Sequence, residues 1–299
     1  MNRRQLLNAT RLMAIAIVIA VAGTTAVQAS VEKDTIKRSF TVEPGGTLYI
    51  DVDRGNVVVE AIDGNQVHVE MERLVNRTNA DDVKRILARH EWEIERDGSD
   101  VVIESQFERE GIRRARMEEF RLRVVVKVPH EYNVDFSTGA GNVDIANLRG
   151  YVEGRTGAGN VTIGEILGDV EVRSGSGNIE IAGVDGELEV QSGAGNIRLG
   201  YVGGEIDAAT GAGDITARIT RQPGADSRLE SGAGNVVVYV EQGIGLLVDA
   251  KASVGSASCE FDLEVEGRWM SKSFGGRING GGPELTMRSG VGNVSLRRF

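Results

Sequence analysis

The stretch RTGAGNVTIGEILGDVEV (155–172) is followed at once by RSGSGNIEIAGVDGELEV (173–190). A chain that repeats itself back to back must fold each copy alike and pack it on the next, so the period constrains the architecture before anything else does. Taking the residue after a small-Gly-small-Gly turn as the anchor puts it at Asn142, Asn160, Asn178, Asn196 and Asp214, 18 apart each time. It continues at Asn235, then by position at Ser256 and Arg277, each 21 on, and ends at Asn293. An earlier copy stands at Asn56, in RGNVVV.

The apolar neighbours keep the same register. One and three residues after the anchor come Val143 and Ile145, Val161 and Ile163, Ile179 and Ile181, then Ile197 and Leu199. Eight and six before it come Val134 and Phe136, Val170 and Val172, Leu188 and Val190, with Leu48 and Ile50 ahead of Asn56 and Leu285 and Met287 ahead of Asn293. Each pair reads as a period-of-two strand with one buried face. Leu148, Ile166, Val184 and Val202 fill the bend between strands. One such unit cannot bury its face alone, but stacked units can. The pattern predicts an all-β, flattened β-solenoid of roughly ten 18–21-residue coils, two short strands per coil. A meander sandwich is the competing architecture, and near-identical turns at constant spacing favour stacked coils.

Glycine supplies the reversals. The chain carries 40 glycines in 299 residues against four prolines, where ordinary domains have about 7%. Apolar residues still make up 40%, so turns rather than disorder account for the excess. Asn tolerates the left-handed region and can form stacked ladders. The eight anchors Asn56, Asn142, Asn160, Asn178, Asn196, Asp214, Asn235 and Asn293 are therefore expected to be structural.

The period fails between 71 and 132. NADDVKRILARH (79–90) reads as a helix with Val83, Ile86, Leu87 and His90 on one stripe. HEWEIER (90–96) and DVVIESQF (100–107), joined at Asp97-Gly98, read as a hairpin. The chain thus divides into a signal peptide (1–29), first solenoid strands (30–70), an inserted helix-plus-hairpin lobe (71–132) and the repeat domain (133–299). The insertion either caps the open end of the stack or carries binding.

Residues 1–29 have the layout of an export signal. Arg3, Arg4 and Arg11 precede the apolar run MAIAIVIAVAG (13–23), and Val27-Gln28-Ala29 supplies a cleavage site. Both general and twin-arginine export fit, since Arg3-Arg4 is present. The run is short for a membrane span, so the processed chain is not expected to be an integral membrane protein, although an uncleaved anchor is the alternative. Removing the three arginines takes the formal charge from −10 to −13, which disfavours nucleic-acid binding. With Cys259 as its single cysteine, the chain can form no internal disulfide.

Catalytic and cofactor signals are weak. The turns resemble calcium-binding nonapeptides, but Val161 stands where the ligand Asp would be, and Asp214 alone carries a carboxylate at the anchor. Neither a dinucleotide fingerprint nor a phosphate loop follows the glycines. His68, His90 and His130 lie in no paired motif. His68 is expected to point outward and His90 to pack, while Cys259 falls on the inward face beside Ala257 and Phe261. Outward carboxylates such as Asp144, Glu171, Glu180 and Glu189 could serve a polysaccharide-cleaving β-helix, but a soluble solenoid needs such a face in any case. The basic run Arg113-Arg114-Ala115-Arg116 is offset by Glu108, Glu110, Glu118 and Glu119. No catalytic, cofactor or metal residue is assigned.

Repeated S-G-x-G-N-[VI]-x-[IVL] units, closing on INGGGPELTMRSGVGNVSL (278–296), resemble the family called "putative adhesin", a repeat-rich domain of bacterial envelope proteins. The resemblance covers most of the chain after Val134 and, more weakly, 48–69. It implies a β-solenoid-like domain at the cell envelope with no assigned catalytic residues. The resulting expectation is an exported, non-enzymatic, adhesin-like or scaffold protein, in the periplasm or at the cell surface, binding an envelope polymer or protein. An envelope-stress sensor or peptide-binding module that uses the insertion is the alternative, and a polysaccharide-active enzyme is the third.

Overall fold

The computed structural model describes residues 31–76, 79–107, 120–267 and 271–299. The export signal and the basic run 113–116 lie outside them. Two long sheets face each other, one of 12 strands and one of 13, and ten coils each contribute one strand to either sheet. In the coil of residues 170–184, Val170–Ser174 lies in the 13-stranded sheet and Ile179–Val184 in the other. Val170, Val172, Ile179, Ile181 and Val184 are all buried. Coils stack in parallel and in register, so Val161, Ile179 and Ile197 face one another in one sheet and Val152, Val170 and Leu188 in the other. The architecture is the flattened β-solenoid that the period requires. Its core is a double file of apolar side chains, mostly Val and Ile, between the sheets.

Stacking order departs from chain order at both ends. The second coil, Thr47–Arg54 with Asn56–Ile62, lies between the first coil, Asp100–Phe107 with Phe120–Pro129, and the third, which begins at Asn133–Ala140. At the far end Glu284–Val291 and Val294–Arg298 slide between the coil of Ser227–Ala233 with Val236–Val240 and the coil of Leu246–Val254 with Ala257–Cys259. The last segment of the chain is thus the ninth coil, not the tenth.

Antiparallel strands close the ends. Gln66–Asn76 pairs with the first coil and Val31–Thr41 with it in turn. His90–Asp97 covers the other sheet, while Lys272–Ile278 and Val265–Glu266 cover the tenth coil. Of the four outermost strands, Val31–Thr41 carries Lys33, Lys37 and Arg38, His90–Asp97 carries Glu91, Glu93 and Glu95, and the other two are only two and three residues long, which blunts edge-to-edge pairing.

Three expectations change in detail. Segment 71–132 does not hang from the stack as a lobe, because 100–107 and 120–129 are themselves a coil. The helix is Ala80–Leu87, capped where Asn79 Oδ1 accepts from Asp81 N at 2.9 Å, with Val83 and Ile86 buried. It stops short of His90, which pairs across the hairpin with Phe107 and so opens a strand. Arg277 is no turn anchor. It sits in the antiparallel cap opposite Leu247, since a spacing of 21 carried past Ser256 assumes that stacking follows chain order.

Candidate functional site

At the turn edge of the stack, each anchor side chain accepts a hydrogen bond from the backbone of the next. Asn56 Oδ1 accepts from Asn142 N, Asn142 from Asn160, Asn160 from Asn178 and Asn178 from Asn196, at 2.8–3.0 Å. Asn196 then accepts from Asp214, Asp214 from Asn235, Asn235 from Asn293 and Asn293 from Ser256, at 2.7–2.9 Å. Strand pairing lapses at the reversal, and the amide replaces it. Asp214 fits as an acceptor, its Oδ1 also taking Asn235 Nδ2 at 3.0 Å. Ser256 belongs to the outermost coil, where no further turn waits for an acceptor. The glycine before each anchor is pinned twice. Gly159 has φ +145, and a Cβ there would overlap the carbonyl oxygen of Gly141 one coil below.

On the outer face of the 13-stranded sheet charged side chains align along the stack. Alternate residues point out, so one row runs Asp135, Glu153, Glu171, Glu189 and Asp207, each opposite the next. Such a column of like charges at about 4.8 Å is unfavourable for folding. The neighbouring row runs Ser137, Arg155, Arg173, Gln191, Ala209, Glu230 and Arg288. Arg173 ties the two together, reaching Glu189 at 2.6 Å and also Glu171. The hydrogen bond to Glu189 and the charge of Glu171 push its guanidinium further toward the charged form.

Next to the arginine row is a column without side chains: Gly157, Gly175, Gly193, Gly211, Gly232 and Gly290. A Cβ on Gly175 would stand 2.5 Å from the Gly157 oxygen, so stacking itself keeps this column bare. The result is a trough of about 710 Å³ running from Arg155 to Arg288 across six coils, roughly 24 Å at the strand spacing. On the other side of the arginine row the carboxylates line a second hollow of about 350 Å³, joined there by Glu187 and Glu205.

Beneath the trough is a buried file of hydroxyls. Ser192, Thr210, Ser231 and Ser289 donate to the carbonyls of Gly177, Gly195, Gly213 and Gly234 at 2.7–3.2 Å. Thr138, Thr156 and Ser174 have no such partner among the described residues. The alternation of Ser or Thr with the bare glycine was visible in seven repeats, and the period of two that turns Val170 and Val172 inward turns Ser174 inward with them.

The other singled-out residues are dispersed. His68 is half-buried with Nδ1 2.8 Å from Ser39 Oγ, and His130 Nε2 lies 3.4 Å from Asp63. His90 is buried, its Nε2 2.7 Å from Ser105 Oγ, and burial with the nearby Arg73 charge lowers its pKa to about 4. Cys259 faces the core opposite Leu296 but is only half-buried, because its coil is the last; burial raises its thiol pKa. Asp144 and Glu180 lie on the opposite sheet from Glu171 and Glu189. Among the described residues no helix is long and apolar enough to cross a membrane, and no three His, Cys, Asp or Glu side chains gather as a metal site.

Fold and face together define a ribbed β-solenoid whose 13-stranded sheet presents an ordered, charge-striped surface. Residues 46–297 match the family described as Toastrack DUF4097, and the chain belongs to that family. None of the curated proteins matches it. Among solved structures it is similar to a "putative adhesin" from Bacteroides fragilis, at 14% identity over 89% of this chain and 97% of that one, with a TM-score of 0.36. It is also similar to a "putative cell adhesion protein" from Clostridium sporogenes (13%, 89% and 100%, TM-score 0.29). A "putative lipid binding protein" from Parabacteroides distasonis is a third (9%, 88% and 96%, TM-score 0.26).

Proposed function

We propose that this chain is an exported, non-enzymatic, adhesin-like scaffold of the cell envelope, whose 13-stranded face holds an extended, charge-bearing polymer along the solenoid axis. The observation that carries this reading is the bare glycine column beside the arginine row. Rigid stacking repeats one recognition step every coil, so contacts that are individually weak add along a linear ligand. The carboxylate row supports the reading too, because solubility asks for outward charge but not for like charges stacked opposite one another, which works against the fold. The signal layout of residues 1–29 supports export to the periplasm or the surface.

Co-sedimentation of the purified chain with peptidoglycan sacculi and with soluble acidic glycans tests it. The reading expects pelleting or retention that falls at least tenfold in the triple variant Arg155→Glu, Arg173→Glu, Arg288→Glu. Reversing Glu180 and Arg198 on the other sheet should leave it unchanged. No retention by any fraction, or equal loss from both faces, contradicts the proposal.

A further inference from the structure

Two rows of outward side chains on opposite sheets share one spacing and are opposite in chemistry. On the 12-stranded sheet Tyr201, Arg218, Tyr239 and Arg297 stand each opposite the next, in four successive strands. Two phenols and two guanidiniums are all able to donate a hydrogen bond. Among the described residues none of these four side chains makes a hydrogen bond or an ion pair. The row is nevertheless held in shape. Arg297 lies over the Tyr239 ring, 5.9 Å from its centroid, and Arg218 lies over the Phe299 ring at 5.8 Å. A guanidinium stacked on a ring keeps its in-plane N–H groups for a carboxylate. Tyr201 lies across Gly183, where a Cβ would come 2.1 Å from the ring.

The matching acceptors are on the other sheet of the same molecule. Asp135, Glu153, Glu171, Glu189 and Asp207 form a row with the same strand spacing, about 4.8 Å. Only Glu171 and Glu189 have partners among the described residues, in Arg173 and Gln191. Both rows take their period from the rise of the coils, so two copies laid side by side match donor to acceptor over four strands, about 14 Å. We infer that the row from Tyr201 to Arg297 is a docking surface for a second copy of this chain, which it engages along the carboxylate row. An acidic polymer offers charge too, but the carboxylates of a second copy come fixed at the matching interval. The arginines of a neighbour also relieve the repulsion within that column. Because the two rows face opposite ways, each copy has one neighbour on either side. The contact is therefore heterologous and open-ended rather than a closed pair. The inference does not depend on the polymer reading, although a docked copy and a polymer would compete for the 13-stranded face.

Sedimentation velocity of the purified chain, with no polymer present, tests this. The inference expects a mean mass that rises with concentration past that of a dimer. Arg218→Ala with Arg297→Ala should weaken association by about tenfold or more. Glu153→Gln with Glu171→Gln and Glu189→Gln should do the same from the other side. Each variant keeps one sound row, so an equal mixture of the two should form one-to-one pairs and grow no further. That pairing also shows that both variants are folded. A chain that stays monomeric at every concentration, or one that stops at a dimer, would overturn the inference. So would variants that associate as the unaltered chain does, or a mixture that stays apart.

Discussion

The middle of the stack and its two ends meet one requirement, a partner for every strand, by different means. Coils three to eight follow chain order and use one device throughout: glycine at the reversal, Asn or Asp at the anchor, and an apolar file that is mostly Val and Ile. The ends cannot repeat the device, since a repeat always leaves an edge. At the C-terminal end the chain runs out to the outermost coil, adds antiparallel cover and then fills the gap with an inner coil, while at the N-terminal end the inner coil comes first and the outermost coil follows its cover. Repetition builds the solenoid, and its interruption ends it. In a one-dimensional stack a defect in the middle weakens two interfaces and a defect at the end only one, so equal substitutions should have unequal effects.

The largest contrast is at glycine. Gly159→Ala places a Cβ against the Gly141 carbonyl at φ +145, and denaturant unfolding should show a loss of about 3 kcal/mol or more. Gly224→Ala, with open space around it, should stay within about 0.5 kcal/mol. Equal effects would dissolve the distinction between stacked and unstacked glycines. In the core, Ile181→Ala empties a fully enclosed position and should cost about 3 kcal/mol. Cys259→Ala, half-buried in the last coil, should cost less than about 1 kcal/mol by the same measure.

Acid should act at the cover of the first coil. The folded-state pKa of His90 is depressed from 6.5 to about 4, so the unfolded chain binds its proton first. Its neutral burial contributes stability that is complete above pH 6.5 and is lost as pH falls toward 4. The ceiling is about 3 kcal/mol, and melting of the native chain should drop more steeply between pH 6.5 and 4 than melting of His90→Phe. Parallel curves would mean that His90 is not the group involved. The smallest contrast lies in the ladder: Asn178→Ala frees the Asn196 amide and should cost about 1 kcal/mol, whereas Ser256→Ala, on the terminal rung, should change nothing measurable.

Local rules made the middle legible. A period of 18 with fixed apolar offsets leaves few folds, and Asn160 or Ile181 declares its place by its neighbours alone. The ends were not legible in the same way, because Ser256 and Arg277 were placed by counting, and counting presumes that stacking order is chain order. One signal was there to be read: INGGGPELTMRSGVGNVSL keeps the complete turn and Asn, as an inner coil must, while ASVGSAS (252–258) lacks the Asn, as the last rung can. The trough was hidden for a related reason. Arg155, Arg173 and Arg288 are ordinary outward residues in the sequence, and only register sets them in one row. The cluster of His90 with Phe107, Phe120 and Ser105 joins three separate strands in a way that no periodicity announces.

The central claim is that the end of the chain is inserted between coils formed earlier, and cysteine pairing tests it most directly. In a Cys259→Ala background, Val237→Cys with Ser295→Cys joins residues that are opposite one another in adjacent strands, about 4.8 Å apart and within reach of a disulfide. Val237→Cys with Ser258→Cys spans two strand spacings, about 10 Å, which is beyond it. Oxidation of the folded protein should close the first pair and leave the second reduced. Closure of the second pair with the first left open would show that stacking follows the chain after all.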